Sequence, residues 1–229
     1  MESQQAWRKK LALRFREGVS WSEGEGGPHL SIPPLPSLPL ANLPAAVLGV
    51  FQRLRGEGGT ERELAGELAA EEPWTVASFL FHLRRLESLQ LLAFTVRDGR
   101  EALASLHPIS PWFEPGPAEV DTGRRYLLSR FAYQRRLGRD LVLESPRCHA
   151  RLKLEDARAA ALCLALARPS VLEELTAAVP GAAPETVETF LALLLAAGLV
   201  LPADEEGRTE EEQAPRLAPW SFHDLLFHA

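Results

Sequence analysis

Cys148 and His149 are the first residues whose types could do chemistry, and their adjacency argues against it. Neighbours on an extended chain project to opposite faces, so this thiol and imidazole are not placed to share a metal or a proton. Cys163 lies in an alanine-rich stretch and reads as packed core. Two cysteines cannot make a disulfide framework or a four-thiolate zinc site. His223 and His228 are five apart, one more than the spacing that stacks two ligands on a helix face. No Cys–His–acid constellation is legible, so the chain is expected to carry no catalytic residue and no metal site. Arg135, Arg136 and Arg139 cluster beside a turn and read as a solvated basic patch.

The elements around these residues come from periodicity. Leu11, Leu13 and Phe15 alternate with Ala12, Arg14 and Arg16, a period of two that suggests a short strand with one buried face. Ser22 to Pro28 reads as a hairpin tip, with His29 to Ile32 returning. The proline run Pro33 to Pro39 permits only an edge strand or an extended crossing. Helical spacing follows in Val47, Leu48, Phe51 and Leu54. Thr60 and Glu63 fit a capping box, and Pro73 a helix start. Asp98-Gly99 predicts a tight hairpin between Leu91–Val96 and Arg100–Leu106, and the proline-rich 107–117 a connector.

The series then begins again. Tyr126–Phe131, Leu141–Glu144 and His149–Leu154 are strand-like, and a helix is predicted over 155–167. Ser170 and Glu173 read as a second capping box, and Pro184 as a second helix start. At an offset of 111, Leu64 matches Leu175, Pro73 matches Pro184, Phe79 matches Phe190 and Leu83 matches Leu194. A helix-start proline and a whole buried face at one offset point to a tandem duplication. The predicted division is a lead-in over 1–10, one module over 11–117, a second over 118–203, and an acidic linker with an aromatic segment over 204–229. The fold class is α+β: two winged-helix-like modules, helix-rich with small antiparallel sheets.

Composition bounds function. With 229 residues and 46% hydrophobic content the chain is globular. The net charge of −6 suits nucleic acid poorly. A DNA-reading helix needs Arg, Lys, Asn or Gln, yet Pro184–Ala197 has no Lys or Arg and carries Glu185 and Glu188; the first long helix offers only Arg84 and Arg85. No apolar run approaches the length of a membrane span, and a cytoplasmic setting is expected.

At module level the order of elements resembles PqqD-like peptide-recognition elements, most clearly in Thr60–Leu92 and Ser170–Leu201. A longer resemblance is carried by Ala93–Arg97, His107–Phe113, Leu128–Tyr133, Leu143–Pro146 and Trp220–His228, in that order. Together these are similar to the N-terminal half of SagB-type dehydrogenases, the cyanobactin oxidase group. The resemblance implies a share in FMN-dependent oxidation of azolines to azoles. In that family the Trp220–His228 segment leads into a flavin-binding domain, so FMN is expected on a nitroreductase-like partner subunit or domain and not on this chain alone. The implied ligand is an azoline-containing precursor peptide, with a homodimer or hetero-oligomer expected.

The resemblance also implies a peptide groove: a third strand carrying His149, Arg151 and Lys153, faced by Thr186, Phe190 and Leu193. The Arg135–Arg139 cluster gains a lesser reading, contact with an acidic leader or a flavin phosphate. Trp220, Phe222, His223, Leu226 and Phe227 are expected to dock on a partner; folding back on the second module is the alternative. A rival function is a structural or regulatory winged-helix module without flavin chemistry.

Overall fold

The computed structural model describes residues 7–228 apart from 25–26, 34–35 and 117, and the side chains of residues 8–225 among them. The fold is α+β, with antiparallel pairing in every strand register given below. The chain divides into two compact units, Leu11–Phe94 and Thr95–Ala229 with the segment up to Lys10. Among the described residues no helix is long and apolar enough to cross a membrane.

The Leu11–Phe94 unit opens with β1 (Ala12–Phe15), then a small sheet of β2 (Ser20–Gly24), β3 (Gly27–Ser31) and β4 (Leu38–Pro39). The proline-rich run yields a two-residue edge strand, because proline has no amide to give to a ladder. Helix α1 (Ala45–Arg53) buries Val47, Val50 and Phe51. Strand β5 (Gly59–Thr60) pairs with β1, Ala12 opposite Thr60. Helix α2 (Glu61–Gly66) starts in a complete capping box: the Glu63 amide donates to Thr60 Oγ1 at 3.2 Å, and the Thr60 amide to Glu63 Oε2 at 2.7 Å. Helix α3 (Pro73–Ser88) starts on its proline and buries Thr75, Phe79, Leu83 and Leu86. Phe79 packs against Phe51 with ring centroids 5.8 Å apart.

Strand β6 (Leu92–Asp98) leads into β7 (Glu101–Pro108), and Gly99 at the turn between them has φ +61°. The second unit then runs β8 (Arg125–Leu128), β9 (Tyr133–Leu137), β10 (Asp140–Glu144), β11 (Ala150–Leu154), α4 (Ala157–Ala165), α5 (Leu172–Ala178), α6 (Pro184–Ala196) and β12 (Val200–Ala203). β12 pairs with β8, Val200 opposite Leu128. A short helix α7 (Glu210–Gln213) and helix α8 (Phe222–His228) follow.

Several details differ from the sequence reading, among them β9, which lies where no strand is expected. The cap of α5 is Val171, not Ser170, and its partner is Glu174, whose carboxylate accepts from the Val171 amide at 3.0 Å. Valine has no oxygen to return the bond, so the second box is half a box. Ser170 instead turns its hydroxyl to the carbonyls of Ala165 and Arg168, closing α4. The expected connector begins inside a strand, since β7 runs to Pro108. The expected acidic linker is anchored rather than free, for a reason that lies in the site below.

Helices α3 and α6 occupy matching places in the sequence but not matching environments. From Thr186 to Ala196 every residue of α6 except Glu188 and Leu195 is buried. A helix apolar all round belongs inside a core. In α3, Trp74 and Phe81 are 60% and 67% exposed, so that helix is buried on one side only.

Candidate functional site

The expected peptide groove is not an open one. β11 lies between β7 and β10: Arg151 stands opposite His107, and Lys153 opposite both Ser105 and Val142. With a ladder on both sides β11 has no edge to offer an incoming strand. The helix side is equally closed. Phe190 and Leu193 are core, and Thr186 is buried with its hydroxyl donating to Asp98 Oδ1 at 3.2 Å. His149 is exposed just before β11, and its carbonyl accepts from the Ile109 amide at 2.9 Å.

What the sheet does bring together is a charged face. The buried Glu144 carboxylate accepts from Arg135 Nε at 2.6 Å, from Arg151 Nε and from the Tyr133 hydroxyl at 3.2 Å. Lys153 lies 3.0 Å from Asp140. Burial alone would raise the Glu144 pKa, but the two guanidinium groups outweigh it and hold the carboxyl below its ordinary value. A depressed folded pKa gives stability that is complete above the unfolded value, about 4.3, and is lost as pH falls through the folded one. Glu144→Gln is therefore expected to be less stable at neutral pH and to lose part of the wild-type acid sensitivity. Urea midpoints at pH 7 and near pH 3 check this, and parallel acid limbs would refute it.

The second polar centre was not legible in sequence. Glu211, 2% exposed, accepts from the Ser129 hydroxyl at 2.9 Å, the Arg130 amide at 3.0 Å and Arg147 Nη1 at 2.6 Å. Arg130 and Arg147 also lie over the Phe131 ring, at 4.8 and 5.7 Å from its centroid. This centre is why the acidic stretch is anchored: Thr209 and Glu212 cap α7 so that Glu211 points inward. Thr-x-x-Glu is the same signature as Thr60–Glu63 and was the available signal.

The aromatic segment lies at least partly on its own chain. Arg130 Nη2 donates to the carbonyls of Leu217, Ala218 and Trp220, and Phe222 meets Tyr133 edge-on at 5.1 Å. Trp220 is 38% exposed and His223 is exposed. The side chains of Leu226 and Phe227 lie outside the described residues.

Nothing in these centres is set up as a nucleophile. Burial pushes the Cys148 thiol up to about 11 and the Cys163 thiol up to about 12, so both stay protonated. Buried Ser105 and His107 and half-buried Glu155 form a row in the wrong order: the hydroxyl stands between imidazole (2.9 Å) and carboxylate (2.7 Å). Nucleophile activation needs the imidazole in the middle. A cavity of about 580 Å³ is lined by Arg124 and Arg147 but also by Glu114, Glu119, Asp121 and Glu210. Acid outnumbers base there and Arg147 is committed to Glu211, so the lining does not fit a flavin phosphate.

Comparison with protein-family models finds a match in the C-terminal part of the chain. Residues 126–229 match the cyanobactin oxidase ThcOx family. The matched stretch is a little under half of the chain. It starts inside β8 and takes in the Glu144 face, the Glu211 centre and the aromatic segment. Over those residues the chain is similar to the cyanobactin oxidase group. No curated protein matches the chain.

Proposed function

We propose that this chain is the peptide-holding and bracing part of an FMN-dependent azoline dehydrogenase in the biosynthesis of ribosomally made peptides. The observation that carries the reading is the cyanobactin oxidase match over 126–229, coincident with the second series of elements and its anchored C-terminal arm. The two series read as a duplicated, winged-helix-like recognition module of the PqqD type. The reaction would take two electrons from a thiazoline or oxazoline ring, with FMN as acceptor on a nitroreductase-like subunit or domain. The excess of carboxylates lining the cavity beside Arg124 and Arg147 disfavours a flavin phosphate at those residues. This chain's share is to orient the peptide and brace the partner, with Trp220 and His223 offering exposed surface for contact.

The regulatory alternative would need a helix that enters a DNA groove. Helix α6 is buried nearly all round, and on α3 the Arg84 guanidinium is committed to Glu61 at 2.8 Å. The test is a tagged pull-down from the native cell, read by the visible absorbance of flavin. A yellow complex with a nitroreductase-like chain is expected. A colourless preparation without such a partner would overturn the reading.

A further inference from the structure

Strand β9 is the last in the order β7-β11-β10-β9, so it has a ladder on one side only. Its hairpin with β10 turns through Gly138 and Arg139, with Leu137 opposite Asp140. Gly138 has φ +61°, as the first central residue of a type II′ turn requires. In such a hairpin the closing pair exchanges both hydrogen bonds, and alternate pairs repeat the pattern. The main-chain groups of Leu137, Arg135 and Tyr133 therefore face β10. Those of Gln134 and Arg136 face away, and neither amide has a backbone partner among the described residues.

Two side chains at this edge are basic and uncommitted. Arg136 and Arg139 are exposed and, among the described residues, neither forms an ion pair. Arg135, beside them, is held by Glu144. This edge is a local positive site on a chain of net charge −6. A second copy pairing edge to edge would bring arginines against arginines, which destabilises cross-strand pairs. An extended acidic segment meets both requirements: it fills the outward amides and neutralises the guanidinium groups.

We propose that β9 is a strand-addition edge for an extended acidic peptide segment, held by the main chain of Gln134 and Arg136 and by the charges of Arg136 and Arg139. This deepens the peptide-holding reading and rests on it, and it moves the site from the closed β11 to the open side of the same sheet.

The experiment is fluorescence anisotropy of the full chain with a short dye-labelled peptide of alternating valine and glutamate, and its valine–lysine counterpart. The glutamate peptide is expected to bind and the lysine peptide not to. The double variant Arg136→Glu, Arg139→Glu should weaken binding by roughly tenfold or more. Gln134→Pro removes an outward donor but no bond to β10, so it should abolish binding while leaving the thermal midpoint unchanged. Equal binding of both peptides, undiminished binding by Gln134→Pro, or no binding of the glutamate peptide would each overturn the proposal. If the arginines serve only to keep edges apart, the charge reversal will change self-association and not peptide affinity, which also overturns it. The assay needs no flavin partner: a failed titration beside an intact yellow complex removes the site and leaves the proposed function standing.

Discussion

Glu211→Ala is expected to lower the unfolding free energy of the Thr95–Ala229 unit by about 3 kcal/mol, near the lower end for breaking a buried ion pair. The lower end applies because the Arg147 side chain is 35% exposed and can be rehydrated when its partner goes, whereas Glu211 is 2% exposed. The loss is not only Coulombic. The Ser129 hydroxyl and the Arg130 amide would also lose their acceptor, and each buried group left unmet costs about 1–3 kcal/mol unless water reaches it. Glu211→Gln keeps the shape and an acceptor oxygen but not the charge, so it should fall between wild type and alanine. The double variant with Arg147→Ala should cost less than the two single losses added, since each single removes the same contact. Urea titration compares the four variants with wild type. Limited proteolysis gives a second readout: cleavage within 204–218 should rise sharply in Glu211→Ala. Unchanged midpoints and an unchanged digestion pattern would mean that the arm is held elsewhere.

That centre also shows where reading the chain stops working. Local signals were legible because they act over a few residues. Pro73 and Pro184 start helices, Thr60 and Glu63 close a box, and Gly99 turns a hairpin, each by backbone chemistry within one turn. Strand partners are a different matter. The alternation of His149 to Leu154 is the same whether that strand is an edge or lies between two others, and what decides it is β7, far away in sequence. Glu211 stands among Glu210 and Glu212; the Thr209–Glu212 box marks a helix start but not which carboxylate is buried, and the partner Arg147 is 64 residues away. The groove residues on α6 failed for a further reason. The spacing places Phe190 on the inward apolar face, which is right, while the resemblance makes Phe190 and Leu193 the wall of an open groove. One face cannot be both packed core and accessible surface. Trp74 and Phe81 show the converse, since a helix that spares its large apolar residues from the core leaves them on the surface.

Gly58→Ala should destabilise the Leu11–Phe94 unit by about 3 kcal/mol, although it adds only one methyl group. Gly58 has φ +65°, a left-handed conformation that costs alanine about 1 kcal/mol. The larger part is steric: a Cβ there would stand 2.0 Å from the Leu13 carbonyl oxygen. That oxygen is backbone and cannot rotate away, so β1 or the turn has to shift. Neither is free to do so. The Gly58 amide donates to the Arg53 carbonyl at 3.0 Å, Arg53 Nη2 donates back to the Gly58 carbonyl at 3.2 Å, and Leu13 is in register with Gly59. Gly138→Ala is the control: its φ is +61°, but an added Cβ would meet nothing within 4 Å, so only the conformational cost of about 1 kcal/mol applies. The difference between the two losses isolates the close approach of the turn to β1. Equal losses in urea titration would mean that the strand yields, and that the Leu13–Gly58 contact does not hold β1 against β5.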